Sequence, residues 1–479
     1  MATPQQKREA PASPEGAAQE RDALATRIAA LREKQRAHFE SGATLPYRYR
    51  RDRLREFARM LETYEDVFLD ALHTDLGKSR EEGWISELGL TLGEVRHTLR
   101  HLKEWMQPEV YVSPLALQPS KSKVYWQPLG LNLIISPWNY PIQLALAPMI
   151  PALAAGNVVV LKPSELAPAS SKALAEVLPK VFPEELVAVV EGGIEVSQDL
   201  LGREWDHIFF TGSPRVGRIV AEAAARHLSR VTLELGGKSP TLVTASAALR
   251  VSARRIVFGK FFNAGQTCIA PDYVLVEAPV HDALVEEMKD AIRTFYGPDP
   301  KQAADYGRII NDHHFERLVR LIDPEKVVIG GEYDAETRYI APTLLTGVTL
   351  EDPVMQEEIF GPILPILKVR DLEEAISIIR QRKNPLALYL FTRRKADEAL
   401  VLERVSFGGG CVNNTLVHLV DPRLPFGGIR SSGLGAYHGH AGFEAFSHRK
   451  SVLKSATFID PSIKYPPYAG KLGLMKKLM

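Results

Sequence analysis

From residue 129 onward, short apolar segments alternate with longer helical ones, and this alternation restricts the chain to few architectures. The apolar segments are LGLNLIIS, NVVVLKP, LVAVVEGG, WDHIFFTG and VTLELGG, and helix-forming stretches such as ASSKALAEVLPKVF separate them. Strands that are apolar on both faces and joined by helices form parallel sheets that are covered on both sides. The sequence therefore predicts an α/β fold.

The alternation begins again after residue 240, which predicts a second α/β domain that meets the first near residues 233–240. Here the strand PILPILKV is followed by the helical DLEEAISIIRQR and then by the strand PLALYLFT. A chain of 479 residues is too long for one hydrophobic core, so two or three domains are expected. Residues 23–106 have the apolar spacing of helices, and residues 108–126 predict a β-hairpin.

Charge and cysteine content exclude several classes of protein. Lys and Arg total 59 against 58 Asp and Glu, so nothing electrostatic favours a nucleic-acid partner. Two cysteines cannot form a disulfide framework, which favours the reducing cytoplasm. The polar residues 1–22 predict a disordered tail rather than a secretory signal. No stretch approaches the roughly 20 apolar residues of a membrane span, and the basic end KLGLMKKLM is either a frayed terminus or a membrane contact.

Two turns at strand ends could bind parts of a nucleotide, although each also has an ordinary structural explanation. Gly212 and Gly217 bound a turn between a strand and a helix, and the free N–H groups of a helix start suit a phosphate. Their spacing is not GxGxxG, so this turn could equally be a plain strand–helix connection. Lys162 and Glu165 follow another strand, where they could hold ribose hydroxyls and phosphate or form a solvated turn.

Three further side chains could carry chemistry. Cys268, in FNAGQTCIAPDYV, could be a thiolate nucleophile if it is partly exposed. A lone cysteine is more often a small buried hydrophobic residue, and we interpret Cys411 in this way. Glu234 ends an apolar strand, where desolvation would raise its pKa toward that of a general base, or it could cap a helix or form an ion pair. Asn139, between two prolines in SPWNYP, could stabilise an oxyanion or a turn.

Taken together, the motifs SPWNYP, LKPSE, FTGS, LELGGKSP, GQTC, EEIFGP and PFGG resemble those of the aldehyde dehydrogenase superfamily, in that family's order from residue 135 to residue 428. The segment LPFGGIRSSGLGAYHGHAGFEAFSHRKS, followed by KYPPY, is similar to the class 3 branch of fatty and aromatic aldehyde dehydrogenases. The resemblance covers roughly residues 23–470. It implies a Rossmann-like nucleotide-binding domain plus a second α/β catalytic domain, with a small projecting β oligomerisation arm.

The resemblance also assigns the segments of the chain. They are the NAD(P)-binding domain (23–107 and 127–233), the catalytic domain (234–420), the oligomerisation arm (108–126 and 434–460) and a C-terminal tail (461–479).

Each matching residue acquires an implied role. Cys268 is the nucleophile, Glu234 activates water, and Asn139 stabilises the oxyanion together with the backbone N–H of Cys268. Glu358 could be the base instead of Glu234; we favour Glu234 because the adjoining glycines would let it move. The residues implied to contact the cofactor are Trp138, Lys162, Glu165, Thr211, Gly212, Ser213, Gly217, Leu235, Gly236, Glu358 and Phe360.

The implied activity is NAD(P)-dependent oxidation of a medium- or long-chain aliphatic or an aromatic aldehyde to the acid, through a thiohemiacetal and a thioester on Cys268. Glu165 would repel a 2′-phosphate, which favours NAD slightly over NADP. Two alternatives stay open: a coenzyme A-acylating dehydrogenase, which would lack Glu234, and a cysteine hydrolase, which would need a histidine beside the thiol. No residue set has metal-ligand spacing, so no metal is expected. Class 3 relatives imply a homodimer.

Overall fold

The computed structural model describes residues 14–382 and 384–478, and its N-terminal region is helical. The helices are α1 (Pro14–Glu40), α2 (Tyr47–Thr63), α3 (Glu65–Leu76), α4 (Arg80–Gly83) and α5 (Gly89–Trp105), with a π-helical turn at Trp84–Leu88 before α5. Helix α1 begins inside the predicted disordered tail, because alanine, glutamine and glutamate at positions 17–20 favour a helix. The structure corrects that prediction for residues 14–22, and residues 1–13 lie outside the described residues.

The first sheet is a doubly wound parallel sheet. Two strands of another sheet, β1 (Glu109–Val112) and β2 (Ser120–Pro128), precede it along the chain. Its strands and their connections are β3 (Leu131–Ile135), α6 (Gln143–Leu146), α7 (Met149–Ala155), β4 (Val158–Lys162), α8 (Pro168–Val181), β5 (Val187–Val189), α9 (Ile194–Leu201), β6 (His207–Gly212), α10 (Pro214–Arg226) and β7 (Arg230–Leu235). The parallel strands have the order β5-β4-β3-β6-β7. The connections run to opposite sides from β3, so the crevice between β3 and β6 is a topological switch point, where α/β proteins bind ligands.

The second sheet is built from the next part of the chain. The elements of this part are β8 (Pro240–Val243), α11 (Leu249–Phe261), β9 (Tyr273–Glu277), α12 (His281–Tyr296), α13 (Asp312–Val319), β10 (Val327–Ile329), β11 (Tyr333–Asp334), β12 (Tyr339–Ile340), β13 (Thr343–Leu345), α14 (Pro353–Gln356), β14 (Ile363–Val369), α15 (Leu372–Arg380), β15 (Ala387–Phe391), α16 (Lys395–Arg404) and β16 (Gly409–Val412). Strands β11 and β12 pair only with each other, as a separate hairpin. The order is β10-β13-β14-β9-β8-β15-β16, parallel except for β10. The predicted α/β fold is confirmed.

The last elements are β17 (Gly433–Leu434), α17 (Gly439–Ala445), β18 (Ser447–Ser455) and α18 (Leu472–Leu478). Strand β18 pairs with β2 along its length and completes a three-stranded sheet of order β1-β2-β18, which we call the arm. Strand β17 instead pairs with β7, and α17 packs on α7, where Gly442 allows close approach to Pro151. The N-terminal half of the predicted arm segment 434–460 therefore belongs beside the first sheet, because Phe443 and Phe446 are buried there.

Burial follows the pattern expected of parallel strands. Every residue of β3 and β4 is buried, since helices cover both faces of the first sheet. In the part of the chain that the structure describes, no helix is both long and apolar enough to cross a membrane.

Candidate active site

Several predicted residues lie at the carboxyl edge of the first sheet. Asn139 follows β3, Lys162 ends β4, Thr211 and Gly212 end β6, and Glu234 lies near the end of β7. Because these strands are parallel, their carboxyl ends meet at the same edge. Strands β3 and β6 are neighbours, so Asn139 and Gly212 flank the switch-point crevice.

Cys268 reaches this edge on a loop that follows α11. The backbone of this loop is left-handed at three consecutive residues, Asn263 (φ 55°), Ala264 (φ 51°) and Gly265 (φ 75°). Such conformations persist where the surrounding structure determines them, and here a Cβ on Gly265 would clash with the carbonyl group of Gly361. The close contact between the backbones of residues 265 and 361 explains why residue 265 is a glycine, and it holds the loop that carries Cys268 in place.

Two cavities meet at the Cys268 thiol. The larger cavity has a volume of about 750 Å³ and mixed polar and apolar walls, and it contacts Cys268 from the side of the first sheet. A second cavity of about 260 Å³, with mostly apolar walls, contacts Cys268 from the other side. We call these the nucleotide cavity and the apolar cavity. The residues that line both are Leu144, Thr211, Glu234, Leu235 and Cys268.

The acidic groups at this junction are desolvated. Both carboxylate oxygens of Glu234 are buried without a hydrogen-bond partner, and this burial raises the pKa of Glu234 well above its usual range. Burial also raises the pKa of Cys268, and the neighbouring Glu358 and Glu234 add to the effect. Burial and the nearby Asp272 raise the pKa of Glu358 to about 8. All three groups therefore favour their protonated forms near neutral pH, and ionising one requires a counter-charge or a rearrangement.

Asn139 is held so that part of its side-chain amide stays available. Its Nδ2 donates to the backbone carbonyl oxygen of Gln266 at 3.0 Å, and the backbone carbonyl oxygen of Asn139 accepts from Nδ2 of Asn263 at 2.8 Å. An amide nitrogen carries two hydrogens, so one remains after the bond to Gln266. Since Asn139 lines the nucleotide cavity together with Cys268, that hydrogen can be donated to an oxygen atom bound beside the thiol.

Most of the residues predicted to contact the cofactor line the nucleotide cavity. They are Trp138, Thr211, Gly212, Ser213, Leu235, Gly236, Glu358 and Phe360. Three others are not part of its lining. Gly217 packs against Leu235, where a Cβ would clash, and Lys162 Nζ forms an ion pair with Glu165 Oε2 at 2.5 Å beyond the end of β4.

The start of α10 fits a phosphate group. Ser213 caps this 13-residue helix by accepting from the N–H of Val216, and Arg215 and Arg218 also line the nucleotide cavity. The free N–H groups of a helix start, its positive dipole end and two guanidinium groups all favour an anion. The donor set at the switch point therefore fits the phosphates of a dinucleotide.

Four side chains that the sequence did not predict hold residues 354–359, the segment that carries EEI. Lys238 Nζ lies 2.5 Å from Asp272 Oδ2 and donates to two carbonyl oxygens of the segment at 2.8 and 2.9 Å. Asp272 accepts from one of its N–H groups at 2.9 Å, and Arg317 and Arg382 each donate to one of its carbonyls at 2.6 Å. The only sequence signal was the place of Lys238 in LELGGKSP.

The remaining thiol, Cys411, lies away from both cavities, and three histidines lie near a cysteine or a cavity. Cys411 is half-buried in β16, with its Sγ 3.6 Å from Nδ1 of His418. His314 packs against Trp138, with ring centroids 5.0 Å apart, and His438 lines the apolar cavity. Within residues 14–382 and 384–478, no group of three or more His, Cys, Asp or Glu side chains could hold a metal ion.

Comparisons with known proteins agree with this geometry. The model of the "Aldehyde dehydrogenase family" matches residues 2–452. A Staphylococcus aureus protein named 4,4'-diaponeurosporen-aldehyde dehydrogenase is 44% identical over 92% of this chain and 96% of its own length. A Rattus norvegicus protein named "Aldehyde dehydrogenase, dimeric NADP-preferring" is 45% identical over 91% of this chain and 97% of its own. A solved structure described as "Substrate bound state of Staphylococcus Aureus AldH" superposes with a TM-score of 0.93 at 44% identity, covering 94% of this chain and 99% of that one.

Proposed function

The chain belongs to the aldehyde dehydrogenase family, and from this premise we propose that it oxidises apolar aldehydes to carboxylic acids through a covalent intermediate on Cys268. As a member of this family it is an NAD(P)-dependent aldehyde dehydrogenase. The observation that best supports the proposed route is the position of Cys268 where a nucleotide cavity and an apolar cavity meet.

In the proposed mechanism the Cys268 thiol, whose pKa is raised by burial, first gives up its proton to solvent water in the nucleotide cavity, and the resulting thiolate sulfur attacks the aldehyde carbon. The negative charge that develops on the aldehyde oxygen is stabilised by the free Nδ2 hydrogen of Asn139 and by the backbone N–H of Cys268. Losing one such donor typically lowers turnover by about 100- to 1000-fold. Sulfur suits this step because it is a good nucleophile near neutral pH and later a good leaving group from the acyl intermediate.

NAD or NADP supplies the hydride acceptor when it is bound. Arg215, Arg218 and the start of α10 would hold its phosphates, and Trp138 and Phe360, whose rings contact each other edge to face with centroids 5.3 Å apart, would form an aromatic wall for its ring. Oxidation leaves a thioester on Cys268. Glu234, once a rearrangement has let its carboxyl ionise, then removes a proton from water, the water oxygen attacks the thioester carbon, and the acid departs as the Cys268 thiolate is released.

The two cysteines allow a matched test of this assignment. We expect Cys268→Ser to reduce NADH formation from a saturating aldehyde by more than about 1000-fold, as for loss of a nucleophile, while cofactor binding, followed by fluorescence, is retained. Cys411→Ser makes the same change at a half-buried thiol outside both cavities and should keep wild-type turnover. Wild-type NADH formation from the Cys268→Ser protein would refute the role of Cys268.

The alternative coenzyme A-acylating reaction would release the acyl group to a thiol instead of water. The Glu234 carboxyl, which lines the same cavities as Cys268, favours the hydrolytic reaction, because its ionised form provides a base for water. Product analysis with and without coenzyme A decides between the two: we expect the free acid in both cases, and an acyl-coenzyme A product would favour the alternative. The cysteine hydrolase is disfavoured because, in the part of the chain that the structure describes, the imidazole within hydrogen-bond distance of a cysteine sulfur is that of His418, and it contacts Cys411.

We propose a medium- or long-chain aliphatic or an aromatic aldehyde as the substrate, because the apolar cavity would leave a polar tail without partners. Ile85, Phe258 and Val420 line this cavity and are partly exposed to solvent, so they mark its opening. Thr267 and Cys268 lie at its inner end. An apolar tail that enters past Val420 would bring its aldehyde group to the thiol.

We also propose that two copies of the chain associate through the arm. Strand β18 is a nine-residue edge strand, and Val110 and Val112, on one face of β1, are 65% and 95% exposed. Long edge strands and exposed apolar patches are usually covered by another chain. Light scattering should give twice the chain mass of 53.2 kDa, whereas Val110→Asp/Val112→Asp should give a monomer. Leu228→Asp, at a 92% exposed site outside the arm, is the control; a monomeric wild type would contradict the proposal.

The cytoplasm is the compartment we propose. Both cysteines are free thiols, and the role of Cys268 requires that it stay reduced, as in a reducing compartment. Cell fractionation with an antibody against the chain tests this, and recovery with secreted or membrane fractions would contradict it.

A further inference from the structure

A buried ion pair lies behind the Asn139 segment, and the mechanism above does not use it. Lys78 Nζ lies 2.5 Å from Glu87 Oε1, and both side chains are fully buried. Glu87 belongs to the π-helical turn at Trp84–Leu88, a kind of helix irregularity that is frequent at functional sites. Neither residue lines the nucleotide cavity or the apolar cavity. A buried ion pair is weak evidence for stability, because removing two charges from water offsets their attraction.

The pair is bonded to the chain segment that carries Asn139. Glu87 Oε2 accepts from the backbone N–H groups of Ile142 and Gln143, at 2.9 and 3.1 Å. Lys78 Nζ donates to the carbonyl oxygen of Asn139 at 3.4 Å. The two charged groups therefore hold both ends of the segment 139–143.

The opposite side of the same segment is bonded to the Cys268 loop. The hydroxyl groups of Tyr140 and Thr267 share a hydrogen bond of 2.6 Å, and Thr267 directly precedes Cys268. Lys78 Nζ also lies 4.1 Å from the centre of the Tyr140 ring. The segment is thus fixed between the ion pair on one side and the nucleophile's loop on the other.

We propose that Lys78 and Glu87 are positioning residues that hold the Asn139 amide at the place where the aldehyde oxygen becomes negatively charged. This inference rests on the proposed role of Asn139. A displacement of about 1 Å in such a donor can lower turnover by about 100-fold, so a pair that contacts no substrate can still govern the rate. The carboxylate and the ammonium act together, since each holds a different end of one segment.

A double-mutant cycle tests whether the pair acts through Asn139. The proteins are the wild-type enzyme, Glu87→Gln, Asn139→Ala and the combination. They are compared by kcat/KM for one aldehyde whose concentration can be raised above its KM, and by the Kd for NAD. We expect Asn139→Ala to lower kcat/KM by about 100-fold or more and Glu87→Gln to lower it by about 10-fold. In the Asn139→Ala background, Glu87→Gln should then have an effect within about 3-fold, because residues that act as a unit are not additive. The Kd for NAD should not change.

A second variant and a control separate positioning from loss of folding. Lys78→Met/Glu87→Gln leaves no unpaired buried charge, so it should keep a Tm near that of the wild type and still lose kcat/KM. Glu81→Gln makes the same chemical change at an exposed site on α4 and should behave as wild type.

The outcomes distinguish this inference from the proposed function. Equal losses from Glu87→Gln in both backgrounds, or wild-type kcat/KM in the folded Lys78→Met/Glu87→Gln protein, would overturn the positioning role alone. A silent Asn139→Ala variant would overturn the oxyanion role of Asn139 itself, and with it this inference.

Discussion

The carboxylate of Glu358 lies directly against the α-carbon of Gly236, so closely that a Cβ at position 236 would clash with it. This contact joins the EEI segment of the second domain to the end of the first sheet, two residues beyond Glu234. Position 236 therefore needs a glycine because a side chain there would take the space of the Glu358 carboxylate. The backbone conformation does not require it, since the φ of Gly236 is not in the left-handed region.

Gly236→Ala should displace the Glu358 carboxylate and lower kcat/KM by about 10- to 100-fold, because a misplaced group near the reacting atoms is costly. Gly93→Ala is the matched control, since a Cβ there meets no atom within 4 Å in the exposed part of α5. Alanine at that position should preserve kcat/KM and raise the stability by about 0.5–1 kcal/mol. Wild-type kinetics for Gly236→Ala would show that the position of Glu358 is not important for catalysis.

Glutamine at positions 234 and 358 should separate the two candidate bases. Glu234→Gln should form NADH rapidly in the first turnover and then slow by about 100-fold or more, as expected for loss of a general base, since the thioester is no longer hydrolysed. Glu358→Gln should instead slow the first turnover itself. Rapid-mixing absorbance at 340 nm distinguishes the two phases. A steady-state rate near wild type for Glu234→Gln would transfer the base role to Glu358.

Stability should fall as the pH rises from 6.5 to 8. The pKa of Glu358 is raised to about 8, and burial raises the pKa values of Glu82 and Glu94 to about 7. Between pH 4.5 and these values the folded state binds more protons than the unfolded state, so raising the pH destabilises it. Burial has the opposite effect on four imidazoles, whose pKa is lowered to about 3 or 4; they are His207, His314, His418 and His438.

Those imidazoles stabilise the folded state progressively as the pH rises to 6.5, and above that pH they are neutral in both states. The raised carboxyl groups lower the stability between pH 6.5 and 8, and Lys260, whose pKa burial lowers to about 8, opposes them towards the upper end of this window. Thermal unfolding in this window should show a falling Tm for the wild type and a flatter dependence for Glu358→Gln. Glu81→Gln, at an exposed site, should follow the wild type. If Tm fell equally steeply with pH in the wild type and in Glu358→Gln, the loss of stability could not be assigned to Glu358.

The apolar cavity predicts a dependence on chain length. Each methylene buried in it should contribute about 0.8 kcal/mol, or about 4-fold in kcat/KM, until the chain passes the opening. Val420→Asp places a charge at the opening, so kcat/KM should fall for decanal and stay near wild type for propanal. Leu424→Asp, at an exposed site outside the lining, is the control. An equal loss for both aldehydes in Val420→Asp would indicate a general structural defect.

Glu165 should influence the choice between NAD and NADP. Glu165 Oε2 forms an ion pair with Lys162 Nζ. This pair neutralises the charge of Lys162, which could otherwise bind the 2′-phosphate of NADP. Glu165→Gln should raise kcat/KM for NADP relative to NAD by about 10-fold, the value of one charge contact of about 1.4 kcal/mol. Glu176→Gln, an exposed carboxylate on α8, controls for general charge. An unchanged NAD/NADP ratio would place the 2′-hydroxyl away from Glu165.

The sequence alone determined the sheets and the residues at their edges. Runs such as NVVVLKP are apolar on both faces, and this local pattern requires a strand covered on both sides wherever it lies. The polar groups that follow these strands, including Asn139, Lys162 and Gly212, must then meet at one edge, because parallel strands all end there. The prediction needed only the order of segments along the chain.

Only the tertiary structure decided which distant groups touch. The contacts of Glu358 with Gly236, of Lys78 and Glu87 with the Asn139 segment, and of α17 with α7 join residues far apart in the sequence, so no local pattern indicates them. Protonation also depends on this packing: Glu234 has a raised pKa because the fold removes water from its carboxylate and supplies no hydrogen bond in return. Desolvation depends on the whole surroundings of a group, which exist once the two sheets have come together.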